Sequence, residues 1–226
     1  MSLEYAAQRL NYIDKSPSEP TGAMARWSFF ATVAASGAVA SGSPALAAPT
    51  APTGLADAAL QGAVSTLQAD HLAFVAGAGA VAAMTGLPFF APIALVGAAL
   101  AGAVAQAAGI QFAFVEAACA LTATLVGVLL LIRGPFPAGV TLVTFIFAGL
   151  FHGFRLSAAT TEWSATWTAA HAVGLATAQY AMVAAVAVVV SLGAEGPAGR
   201  TAQRVVGGAL MFFGLARTAL VAGLAP

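Results

Sequence analysis

GLFHGFRLSAATTEWSATWTAAHAVGLAT, Gly149 to Thr177, decides what kind of protein this chain is. It carries two of the three histidines, His152 and His171, together with Arg155 and Glu162. The sequence on either side is apolar enough to sit in a bilayer. An ionisable group inside lipid costs about 2.5–3.5 kcal/mol on insertion scales, so such groups face a protein interior or a wet cavity. Polar residues in this stretch therefore mark the inside, or the rim, of a helical bundle.

Outward from this stretch the same character holds along the chain. Of 226 residues, 60% are hydrophobic and 7% charged, against about 25% charged in a soluble domain. Segments of about 20 apolar residues recur, as membrane-spanning helices require. They are too long, and too rich in Ala, Leu, Val and Gly, for transmembrane strands, which alternate over about ten residues. The expected fold class is all-α: a polytopic transmembrane bundle of six core helices preceded by an N-terminal apolar helix. A net charge of zero gives no electrostatic basis for binding nucleic acid. There is no Walker loop, no Rossmann glycine pattern and no Ser or Cys nucleophile with a paired base, so no enzyme is expected. The single cysteine, Cys119, lies mid-segment and reads as a small packing residue.

Residues 1–22 form a polar extension in which Leu3, Ala6, Leu10 and Ile13 recur at helical spacing. Residues 23–56 hold an apolar segment, expected as a helix over 25–42, and a Pro-rich loop. Arg26, the apolar run and Ala45-Leu46-Ala47 together also resemble a signal peptide. Residues 57–226 make the bundle, with helices expected over 60–84, 90–108, 111–132, 137–156, 163–191 and 201–223. Arg133 to Pro137 and Gly193 to Gly199 are turns. With the N-terminus on the cytoplasmic (or stromal) side and seven alternating helices, Arg9, Lys15, Arg26, Arg133, Arg200 and Arg204 all fall inside. The expected location is an inner, cytoplasmic or thylakoid-type membrane.

This alternation predicts depth. Asp70, His71, Glu116, His152, Arg155 and His171 come from separate segments, yet all fall towards the outer ends of their helices. One polar cluster is expected there. Asp70, His71, Glu116, His152 and His171 are its candidate metal ligands, since imidazole and carboxylate suit a borderline divalent ion. His152 and Arg155 share a helix face. Gly149 and Gly153 allow a close backbone approach, which would set His152 against Glu116 or Asp70. Arg155 is expected to pair with Glu162, Glu116 or a lipid headgroup, and Arg217 to snorkel to the interface. Trp163 and Trp167 mark the outer end of the sixth core segment's neighbour at 163–191 as interfacial aromatics. A histidine could also serve as axial ligand to a haem or chlorophyll-type macrocycle.

The order of motifs resembles the HupE/UreJ family of small polytopic membrane proteins, taken to be nickel or cobalt permeases serving hydrogenase and urease. The similarity runs over residues 57–223. VSTLQADH, Val64 to His71, stands where the family has HPxxGxDH. VEAACALTATLVGVLL, Val115 to Leu130, matches its VEA helix. FHGFRLSAA, Phe151 to Ala159, matches FHGxAHGxE, and ATAQYA, Ala176 to Ala181, matches a later ATxxLH pattern. Asp70, His71, Glu116 and His152 keep the family's residues. Val64, Leu156, Ala159 and Ala181 replace its remaining His and Glu positions, and His171 lies outside the pattern.

The resemblance implies nickel or cobalt as cargo. The lost donors point to a scaffold: a structural or auxiliary subunit of a larger membrane complex, of respiratory or photosynthetic type. Divalent-metal permeation is the alternative, and a pigment- or haem-binding subunit a weaker one. The expected partners are the bilayer, bound lipids and other membrane subunits.

Overall fold

The computed structural model describes residues 51–132, 137–193 and 197–223. The polar extension, the segment at 25–42 and its signal-like site lie outside the described residues. So do most of the Pro-rich loop and the middles of the turns at 133–137 and 193–199. Among these residues seven α-helices follow in order: α1 Leu55–Ser65, α2 Ala69–Met84, α3 Phe90–Ala107, α4 Val115–Leu131, α5 Ala138–Leu156, α6 Ala165–Gly193 and α7 Pro197–Val221. A short 3-10 turn, Ala158–Thr160, links α5 towards α6. There is no strand among the described residues.

The centre of the bundle is α2. Its run AFVAGAGAVA, Ala73 to Ala82, is apolar on every side and buried at every position. A helix that is apolar all round needs partners all round, and α4, α6 and α7 supply them. Phe74, Val75 and Val81 of α2 pack with Leu95, Leu130, Phe145 and Val183 in the main core. Gly86 ends α2 at a φ of 70° and Gly109 follows α3 at 76°. Each sits at the left-handed position of a Schellman motif: Leu87 N–H donates to the Ala82 carbonyl, and Ile110 N–H to that of Ala105.

The helix expected over 60–84 is two helices. α1 and α2 meet at a bend of 72°. Approaching the break, Thr66 N–H and Leu67 N–H bond to carbonyls only three residues back. The Ser65 and Thr66 hydroxyls donate to Gly62 and Ala63 carbonyls at 2.7 and 2.6 Å. Gln68 is then extended (ψ 134°) before α2 begins. Side-chain oxygens that back-bond in this way compete with the helical ladder. They also satisfy backbone groups that lipid could not, which is the condition for an interruption at membrane depth.

Three helix pairs come together through glycine. A Cβ on Gly149 would strike the Leu95 carbonyl and one on Gly153 the Ala99 backbone. The contact ascends both chains, so α3 and α5 run parallel. Gly207 faces Gly127 and Leu130, while Gly214 faces Ala120 and Thr124; that register descends, so α4 and α7 are antiparallel. Gly62 meets the His171 backbone, and Thr66 bonds Met182 Sδ further along α6, so α1 and α6 are parallel. These directions agree with an alternating topology.

The outer surface is as apolar as the interior. Val104, Val143 and Phe212 are each about two-thirds or more exposed, as lipid-facing side chains are. Among the described residues four helices are long and apolar enough to cross a membrane, or five if the bent pair counts as one. α4, at 17 residues, is apolar but falls just short of that length. The chain is a multi-pass integral membrane protein.

Gly153→Ala is expected to lower the thermal midpoint in detergent by an amount equivalent to about 1–3 kcal/mol, because backbone on α3 cannot step aside. Gly97→Ala, on an open face with nothing within 4 Å, should leave it unchanged. Equal midpoints for the two variants would refute the close α3–α5 contact.

Candidate functional site

Four charges gather at one end of the bundle, each on the helix end that favours its sign. Asp70 and Glu116 lie in the first turns of α2 and α4, and Arg155 in the last turn of α5. Arg217 stands near the end of α7. Helix N-termini favour anions and C-termini cations. Arg155 Nη2 is 2.6 Å from Asp70 Oδ2, and its Nη1 is 3.5 Å from Glu116 Oε2. Arg217 Nη2 lies 3.7 Å from the same Glu116 oxygen. Arg155 also donates to Gln68 Oε1 at 3.2 Å. One guanidinium thus ties α2, just past its break, to α4 and α5.

Beneath the charges lies a buried pair of imidazoles. His71 is fully buried and His152 nearly so. Their Nδ1 atoms are 3.2 Å apart. Thr122 Oγ1 on α4 lies 3.2 Å from His152 Nε2, and Phe74 stacks on the His152 ring with centroids 4.1 Å apart. The spacing explains the pairing. Neighbours on α2 diverge by about 100°, so Asp70 reaches Arg155 while His71 reaches His152, one turn earlier on α5. A cavity of about 20 Å³ is bordered by Asp70, Glu116, Cys119, His152, Arg155 and Arg217. That is room for about one water-sized guest.

Several expected contacts are corrected. His152 does not face Glu116 or Asp70; it meets His71, Thr122 and Phe74. The close approach at Gly149 and Gly153 is made to α3, which carries none of these acids. Arg155 pairs with Glu116, one of its expected partners, and also with Asp70, which was not among them; Glu162 is exposed. Arg217 bonds Glu116 instead of only reaching for the interface. His171 stands apart from the cluster. Its backbone abuts Gly62 and its ring is edge-on to Trp163 at 5.6 Å, with both nitrogens buried and without a hydrogen bond of ordinary geometry. It faces α1 and the turn before α6, away from the charged ends of α2, α4 and α5. Trp163 is half-buried in the turn before α6, packed on that histidine. Among the described residues no three His, Cys, Asp or Glu side chains are placed to hold one metal ion.

Gln68, Thr122 and Phe74 were not among the expected site residues. Gln68 and Thr122 are polar groups inside apolar segments, and that was the available signal. Phe74, one turn after His71, offered none.

The family model described as HupE / UreJ protein matches residues 32–217. The chain belongs to the HupE/UreJ family. The match covers every helix of the bundle except the final residues of α7, and begins before the residues that carry the motif similarity. No curated protein and no solved structure gives a significant match. In this HupE/UreJ protein the FHG motif places His152 in the imidazole pair, and the next motif positions put Arg155 in the ion-pair network.

Arg155→Ala is expected to destabilise the fold more than the double variant Arg155→Ala/Asp70→Asn relative to Asp70→Asn alone. The coupling should be about 1–3 kcal/mol, because removing one partner strands a partly buried charge. Unfolding of the four proteins in detergent measures it; additive effects would show that the pair is not coupled.

Proposed function

We propose that this HupE/UreJ protein is a non-transporting auxiliary bundle, held as a scaffold within a larger membrane assembly of respiratory or photosynthetic type. The Arg155–Asp70 ion pair carries this reading. Two arginines neutralise the two carboxylates that a cation path would use. An incoming divalent ion would have to displace a guanidinium held at 2.6 Å and then share its surroundings with two positive charges. Val64, Leu156, Ala159 and Ala181 supply no donors to offset that repulsion, and affinity for such ions rests on ligand type and number.

A second reading, permeation of nickel or cobalt, is favoured by family membership and by one arrangement. Asp70, Glu116, Cys119 and His152 border the same small cavity. In that case Arg155 would have to swing away as the ion enters. The pigment- or haem-binding reading draws less support, because the His152 ring is stacked on Phe74 and engaged at both nitrogens, and the cavity of about 20 Å³ beside the pair is far too small for a macrocycle.

Vesicles reconstituted with the full chain and loaded with a metal-sensitive dye test the choice. No Ni²⁺ or Co²⁺ entry above protein-free vesicles is expected. Saturable entry, lost in His71→Ala and His152→Ala, would establish the permease instead. In native gels of gently solubilised membranes the protein should migrate in a larger complex; migration alone would remove the scaffold reading.

A further inference from the structure

We infer that Thr122 is a positioning residue that sets the tautomers of both paired histidines and leaves His71 with a bare Nε2. The Thr122 hydroxyl has one proton, and it donates that proton to the Cys119 carbonyl at 2.8 Å. A carbonyl can only accept, so the direction of this bond is settled. Towards His152 Nε2, 3.2 Å away, the Thr122 oxygen can then only accept. His152 therefore carries its proton on Nε2. In the neutral ring its Nδ1 is an acceptor, and it faces His71 Nδ1 at 3.2 Å. His71 must donate there, which leaves Nε2 as its unprotonated nitrogen. Phe74, stacked on one imidazole and tilted against the other, restrains the rings from flipping.

His71 Nε2 is buried and has no hydrogen-bond partner among the described residues. A buried acceptor left unmet forfeits the hydrogen bond it had in water. It therefore suits a small guest that accepts an electron pair: the proton of a water molecule or a first-row divalent ion, and not an anion. The relay reaches from the Cys119 carbonyl on α4 through α5 to α2. A hydroxyl on α4 thereby decides which edge of the α2 imidazole is offered. The inference rests on this hydrogen-bond chain and stands under either functional reading.

Histidine-selective ¹⁵N NMR of the full chain in nanodiscs at neutral pH tests it. His152 should be protonated at Nε2 and His71 at Nδ1. Thr122→Val, which removes the acceptor, should lose this fixed pattern in both rings, while Thr122→Ser should restore it. A wild-type His71 protonated at Nε2, a doubly protonated His152, or unchanged tautomers in Thr122→Val would overturn the inference. If Thr122→Val does not fold, the wild-type assignment alone decides. Added Zn²⁺ separates the guests: a shift at His71 Nε2 identifies the ion, and an unshifted resonance excludes it.

Discussion

A charge cannot be left alone at membrane depth, and the Arg155 guanidinium is where this bundle meets that constraint. It gathers Asp70, Glu116 and Gln68 from two other helices, so three spans are tied where their ends converge. Each acid lies at a helix N-terminus and each arginine near a C-terminus, so the backbone dipoles support the same arrangement. The imidazole pair beneath is shaped by it. With Asp70 drawn to Arg155, its neighbour His71 turns towards His152.

The packing below serves the same end by different means. Lipid tails are as apolar as leucine, so helices in a bilayer associate through close fit and hydrogen bonds. Here the fit comes from glycines placed where a neighbouring backbone passes: Gly149 and Gly153 of α5 against α3, Gly207 and Gly214 of α7 against α4, Gly62 of α1 against α6 and Gly174 of α6 against α1. These contacts fix the rotation of each helix, and rotation decides which polar side chains meet.

That distinction also explains what the sequence could convey. The all-helical class and the approximate ends of most helices are legible, because apolar run length and Pro or Gly boundaries are local. The common level of Asp70, His71, Glu116, His152 and Arg155 is legible too, since alternating spans turn position along the chain into depth. Rotation is not. His171, assigned to the same level by that count, instead faces Gly62 and Trp163. An i, i+3 spacing puts His152 and Arg155 on one face without saying which helix that face meets. The break at Thr66–Gln68 escaped because hydroxyl residues at the edge of an apolar run do not interrupt a helix unless the tertiary setting turns their side chains back onto the backbone.

The short central helix has a bearing on biogenesis. At 16 residues, α2 is about 24 Å long, less than a hydrocarbon core of about 30 Å. Its side chains are mostly too small to gain much from lipid. It would make a poor membrane anchor by itself, and enters most readily joined to α1 as one bent unit. Its residence in the bilayer then depends on spans synthesised after it, α4, α6 and α7, closing round it. A chain truncated before those spans would leave its middle unsheltered, a state that membrane quality control is built to recognise.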